Sequence, residues 1–243
     1  MPARLPDFLG LGTQKGGTTS LHQLLVQHPR LFLPAGKEVH YFSKHWEQPQ
    51  QWYANHYADA RADQRCGDIT PFYLFHPQAP QRIHQLLPEA RLIVLLRDPV
   101  ERALSQVFHS TRLGLEPLPL EQALAAELDR LADGALLHLQ EHSYVSRSRY
   151  LEQLDRYEAL FPPAQLLVLQ SEALFADPVT AWQRIEAFLE LEPSPCPATL
   201  PKANAGRNEA TAVPEPLRAR LREQLRSTAL GVRQRYGFGW GWA

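Results

Sequence analysis

The chain has 243 residues, 44% hydrophobic and 21% charged, with a formal net charge of −1. That length buries one sizeable core and suits a single domain over 1–243, while near-neutral charge gives no drive toward nucleic acid or an anionic membrane. Two distant cysteines, Cys66 and Cys196, exclude a disulfide framework and a thiolate metal cluster and fit a reducing compartment.

The first predicted element is a buried strand, Phe8 to Leu11. It runs into Gly10-Leu11-Gly12-Thr13-Gln14-Lys15-Gly16-Gly17-Thr18-Thr19-Ser20 and then a helix, Thr18 to Gln27, closed by His28-Pro29. Backbone N–H groups at a helix N-terminus, with one lysine beside them, make a site for a phosphate or similar oxyanion. A nucleoside triphosphatase loop requires lysine after the last glycine, and here Lys15 precedes Gly16-Gly17. A dinucleotide fingerprint fails as well, because Lys15 stands where its third glycine belongs.

Lys37 to Ser43 is expected to be a short extended piece, with Val39 and Tyr41 on one side. Gln48 to Ala58 and His76 to Leu87 are expected helices. Arg91 to Leu96 is a second strand, and its apolar run fits a strand covered on both faces. Asp98-Pro99 opens a helix to about Leu113, with aspartate as cap and proline in the first turn. Further helices are predicted over Leu120 to Leu139, Arg149 to Phe161, Pro178 to Leu189 and Pro216 to Leu230. A third strand covers Gln165 to Leu169, and Leu191 to Pro201, with four prolines, is an extended linker.

Strands alternating with helices predict an α/β fold: a central parallel sheet with helices on both faces and a P-loop-like turn after the first strand. Ligands of such sheets sit beyond the carboxyl ends of the strands, where Lys15 and Arg97 fall. No segment approaches the roughly eighteen apolar residues of a membrane helix, and no secretory leader pattern opens the chain, so a cytoplasmic protein is expected. Charge is uneven: Lys202 to Arg235 has eight Lys/Arg against three Glu, and Glu116 to Glu141 has six acids against one arginine. The basic segment suits an anionic cofactor. The acidic one works against a polysulfated partner.

Arg97 ends its strand and Ser105 lies two turns into the next helix, so a guanidinium and a hydroxyl can share one phosphate. Two anion sites suggest one ligand with phosphates at both ends. G-T-Q-K-G-G-T-T-S resembles the loop that cradles the 5′-phosphosulfate in sulfotransferases using 3′-phosphoadenosine 5′-phosphosulfate (PAPS, leaving PAP). L-I-V-L-L-R-D-P-V-E-R-A-L-S resembles the motif whose arginine and serine grip the 3′-phosphate. K-E-V-H-Y-F-S (37–43), G-D-I-T-P-F-Y-L (67–74) and Y-L-E-Q-L-D-R-Y-E-A-L-F (150–161) extend the similarity, which is greatest to the heparan-sulfate-type and bacterial branch.

The resemblance implies roles. Gly16, Gly17, Thr18, Thr19 and Ser20 would hold the 5′-phosphate, Lys15 would stabilise the leaving phosphate, and Arg97 and Ser105 would bind the 3′-phosphate. Glu38 takes the place of the general base, with His40 as the rival, and Lys37 would keep Glu38 ionised or contact substrate. His109, four residues after Ser105, would reach the cofactor or acceptor. Asp68 and Tyr73 fall where relatives line an acceptor cleft, although many of those carry lysine where this chain has Ile69. Lys202, Gly206 and Arg207 lie in a cofactor-closing loop, about 191–213. Arg147 and Arg149 could also reach the nucleotide, and about 113–146 would form a substrate lid. No metal is implied. Small-molecule, lipid, glycan and amine acceptors stay open, as does oligomeric state. The competing functions are a small-molecule kinase with a variant loop and an inactive nucleotide-binding interaction protein.

Overall fold

The computed structural model describes residues 4–197 and 212–243. The chain divides into two compact units, Met1–Leu96 with Asp155–Asn204, and Arg97–Leu154 with Ala205–Ala243.

The first unit carries a parallel sheet of β1 (Phe8–Gly12), β2 (Leu31–Phe32), β3 (Arg65–Ile69), β4 (Arg91–Leu96) and β5 (Leu166–Gln170), in the order β2-β3-β1-β4-β5. Registers such as Leu9↔Asp68, Leu9↔Leu92 and Ile93↔Leu167 fix the pairing. The chain leaves β1 toward β2 and β3 on one side, then crosses over to β4 on the other. The carboxyl ends of β1 and β4 thus flank the point where the winding reverses, the usual ligand crevice of such sheets.

Both sheet faces are buried. Phe8, Ile93, Leu95 and Leu169 join one core cluster with α1 (Thr18–Leu25), α11 (Ser171–Ala176) and α12 (Pro178–Phe188) through Leu21, Leu24, Leu174, Trp182 and Ile185. The alternate residues Leu9, Leu11, Leu92, Val94 and Leu96 are fully buried on the opposite face. This two-sided burial accounts for the unbroken apolar run in β4.

Gly67 in β3 lies against the Phe8 ring, which a β-carbon there would overlap. Gly67→Ala is therefore expected to destabilise the protein by about 1–3 kcal/mol, read as a lower urea midpoint with an unchanged slope.

Several predicted elements change. Lys37–Ser43 is not extended: the backbone turns through left-handed Glu38 and His40, and α2 (Tyr41–Lys44) follows. The helix expected over 48–58 is α3 (Gln50–Ala54) continued by a 3-10 turn, Asn55–Tyr57. The one expected over 76–87 begins later, as α5 (Ala79–Leu86) with Pro80 in its first turn. Strands β2 and β3, α4 (Phe72–Phe75) and α11 were not anticipated.

In the second unit α6 (Pro99–Arg112) begins where expected. Asp98 Oδ1 accepts the Val100 and Glu101 N–H groups at 2.9 and 3.1 Å. The single helix expected over 120–139 is three short ones, α7 (Leu120–Ala125), α8 (Glu127–Leu131) and α9 (Leu136–Glu141). Left-handed Gly134 interrupts the run, and buried Glu127 accepts the Val145 and Ser146 N–H groups. Val100 and Leu104 pack with Leu217, Leu221 and Leu225 of the final helix, α13 (Glu215–Tyr236). The helix α10 (Tyr150–Glu158) ends short of the predicted Phe161. Among the described residues, no helix is long and apolar enough to cross a membrane.

Candidate active site

The β1–α1 loop ends in a helix N-terminus open to an anion. Gly17 is the N-cap of α1 with φ 93, a conformation that favours glycine, and no side chain caps the helix there. At Gly16 a β-carbon would stand 2.8 Å from Thr13 Cγ2 and 3.0 Å from the Leu95 carbonyl oxygen, so nothing larger fits. Thr13 Oγ1 is buried beside this turn without a hydrogen-bond partner. Thr18 and Ser20 are buried and Thr19 is half-buried. These features fit a phosphate-sized anion.

Lys37 reaches the same turn. Its Nζ donates to Thr18 Oγ1 at 3.3 Å, to Thr19 Oγ1 at 3.1 Å and to Glu38 Oε1 at 3.0 Å. The other carboxylate oxygen of Glu38 lies 3.4 Å from His40 Nε2, and His40 Nδ1 lies 3.0 Å from Ser43 Oγ. Burial alone would raise the Glu38 carboxyl. The His40 hydrogen bond and the Lys37 charge outweigh it and hold the group down at about 2. Glu38 is therefore ionised at neutral pH.

The backbone marks the same residues. Among the described residues, four non-glycines have left-handed φ: Lys15, Glu38, His40 and Glu190. Three of the four are candidate catalytic groups. Such conformations cost roughly 1–3 kcal/mol each and persist where surrounding structure imposes them. Here part of the support is visible: the His40 N–H donates to Thr70 Oγ1 at 3.4 Å, and the His40 carbonyl accepts from Ser43, Lys44 and His45.

Asp68 and Tyr73, expected along an acceptor cleft, are almost wholly enclosed, at 1% and 0% exposure. Asp68 accepts hydroxyl hydrogen bonds from Tyr53 (2.9 Å), Tyr73 (2.8 Å) and Thr70 (2.7 Å). Burial raises its pKa and these three donors oppose the rise. Thr70 thus links Asp68 to the His40 backbone. Sequence reasoning missed Tyr53 and Thr70. Thr70 lay inside the quoted 67–74 motif, whereas nothing near Tyr53 hinted at its part.

In the second unit, Arg97 follows β4 directly, its carbonyl accepting the Tyr150 hydroxyl at 2.8 Å. Asp98 Oδ2 accepts from Trp242 Nε1 at 2.6 Å, so the C-terminal tail braces the turn that carries Arg97. Arg97, Ser105 and His109 are half-buried, the last two one turn apart on α6. Arg147 is buried, with its guanidinium on the Leu139 and Gln140 carbonyl oxygens, and Arg149 is exposed near Glu152. The expected lid is held by Glu116, whose carboxylate meets Arg130 at 2.5 Å and the Tyr144 hydroxyl at 2.6 Å. Lys202, Gly206 and Arg207 lie outside the described residues.

The sulfotransferase domain family model matches residues 5–203, running through most of both units. Human heparan sulfate glucosamine 3-O-sulfotransferase 6 is 33% identical over 190 residues, 78% of this chain and 53% of that protein. The membrane-associated sulfotransferase kil1 of Dictyostelium discoideum is 41% identical over 109 residues, 44% of this chain and 23% of that protein. The chain spans about half the length, or less, of these curated relatives. A sulfotransferase from Alicyclobacillus acidocaldarius superposes with a TM-score of 0.73 at 27% identity, over 93% of this chain and 96% of that one. A mouse sulfotransferase complexed with PAP shares the fold, with a TM-score of 0.59 at 15% identity over 94% and 87% of the two chains.

Proposed function

The chain belongs to the sulfotransferase family, and from that premise we propose that it moves a sulfonate group from PAPS to an acceptor hydroxyl. The kinase and inactive-protein alternatives give way to the family match. PAPS, when bound, supplies an activated sulfonate on a phosphate leaving group. The chain's own residues do the rest. Gly16, Gly17, Thr18, Thr19 and Ser20 hold the 5′-phosphate, and Arg97 and Ser105 hold the 3′-phosphate. Lys15 neutralises charge developing on the departing phosphate, and Glu38 takes the proton that the acceptor hydroxyl loses. His40 orients Glu38 through the Nε2–Oε2 contact, and His109 faces cofactor or acceptor.

One observation supports this reading above the others. A single cation, Lys37, bonds both the loop hydroxyls and the carboxylate, so the anion cradle and the base are neighbours. For the acceptor, the relatives' names support a glycan hydroxyl. The exposed acids Glu121, Asp129 and Asp133 favour a glycan of low sulfation over a heavily sulfated one. An amine acceptor would need the same base.

The donor assignment is tested by calorimetric binding of PAP against adenosine 5′-phosphate, which lacks the 3′-phosphate. Charge-assisted bonds from Arg97 and Ser105 are expected to make PAP bind about 10- to 100-fold tighter. Equal affinities would remove both residues from the donor site.

A further inference from the structure

The Lys37 ammonium has three N–H donors, and three acceptors lie around it: Thr18 Oγ1, Thr19 Oγ1 and Glu38 Oε1. Its side chain is 17% exposed, so few other positions are open to it. Any anion taken up by the two threonine hydroxyls arrives beside this ammonium and competes with Glu38 for it. A diester-like phosphosulfate is fully charged and cannot be neutralised by protonation near pH 7. A carboxylate gives way more easily, because it retains its second partner, His40 Nε2.

We propose that Lys37 is a shared cation that couples donor binding to the base: as Thr18 and Thr19 take up the donor's 5′-phosphosulfate, the Lys37 ammonium turns from Glu38 to that group, and Glu38 becomes a stronger base. Glu38 then accepts the acceptor's proton well only with the donor in place. Lys37 itself becomes a second cation on the leaving phosphate beside Lys15. This inference rests on the PAPS reading above. It explains how a carboxylate held at about 2, a feeble base, can serve a proton transfer.

The groups acting on the cluster are few. Lys37 and His40 act on Glu38 directly. His40 in turn acts on Asp68, His45 and His76, and Lys37 on His22. Among them, only Lys37 also bonds the phosphate loop.

The test is the carboxyl carbon resonance of Glu38 in the full chain, assigned with Glu38→Gln and followed from about pH 7 down to about pH 3.5, with and without saturating PAP. Without PAP, no inflection is expected in that range. With PAP, the midpoint should rise by about 1.5 pH units or more, into the observed range. In Lys37→Met the midpoint should already be raised and PAP should shift it little; Lys37→Gln serves the same purpose if Met does not fold. An unmoved Glu38 in the wild-type protein overturns the inference. So does an equal shift in the Lys37 variant, since the nucleotide's own charge would then be responsible. Absence of saturable PAP binding is a separate result, which removes the donor reading and takes this inference with it.

Discussion

Glu38→Gln is expected to lower kcat by about 10²–10⁴ and, because a neutral glutamine no longer competes for the Lys37 ammonium, to bind PAP about tenfold tighter or more. Glutamine keeps the size of the side chain and an acceptor oxygen but cannot take a proton. The loss should fall on kcat because proton transfer belongs to the transition state, not to donor binding. Stability carries a sign as well. The folded Glu38 carboxyl is held at about 2, below its usual range, so its contribution is present above about pH 4.5 and fades as pH falls toward 2. The variant should thus be less stable than the parent at neutral pH and converge with it in acid, a pattern that urea titrations at several pH values would reveal. Unchanged turnover would transfer the base to His40.

Lys15→Met is expected to cost about 10²–10³ in kcat, with PAP affinity changed by less than about tenfold. The leaving phosphate gains charge as the sulfonate departs, so a cation there acts most strongly in the transition state. Methionine retains the length and the β-carbon of lysine, and so meets the same left-handed backbone at φ 66 that Lys15 already tolerates. Single-turnover kinetics with preformed donor complex separate chemistry from nucleotide release. A wild-type single-turnover rate in this variant would assign the leaving-group role to Lys37 alone.

The two substitutions divide the site by function. Glu38→Gln should abolish the pH response of transfer without touching the leaving group. Lys15→Met should slow transfer most for acceptors with poor nucleophiles. Lys15 does not belong to the hydrophobic core, so a large fall in thermal stability of Lys15→Met would point to a structural role instead.

Much of the fold was legible in the residues. β1, β4, β5 and α6 fell close to their predicted bounds because each has a strong local signal: a wholly apolar run, or Asp98-Pro99 as cap and first turn. β2 was missed because two residues carry no periodicity. β3, Arg-Cys-Gly-Asp-Ile, hid a buried aspartate and a glycine in a strand. The expected long helix over 120–139 kept its Leu/Ala pattern while breaking in three, since Gly134 and the Glu127 bonds to Val145 and Ser146 act on the backbone and not on periodicity.

The sequence by itself determined the glycine-rich turn at Lys15 to Ser20, the Arg97-Asp98-Pro99 junction and the parallel α/β class. Each is written in neighbouring residues whose backbone chemistry is local. Only the tertiary structure decided that Lys37 meets Thr18 and Thr19, that Glu38 and His40 adopt left-handed turns, and that Asp68 and Tyr73 spend their polar atoms on each other. The Lys37 contacts span 18 and 19 positions, the His40–Thr70 bond that supports the turn spans 30, and the order β2-β3-β1 sets the end of β3 beside that of β1. No pattern of spacing within one segment can encode a partner supplied by another strand.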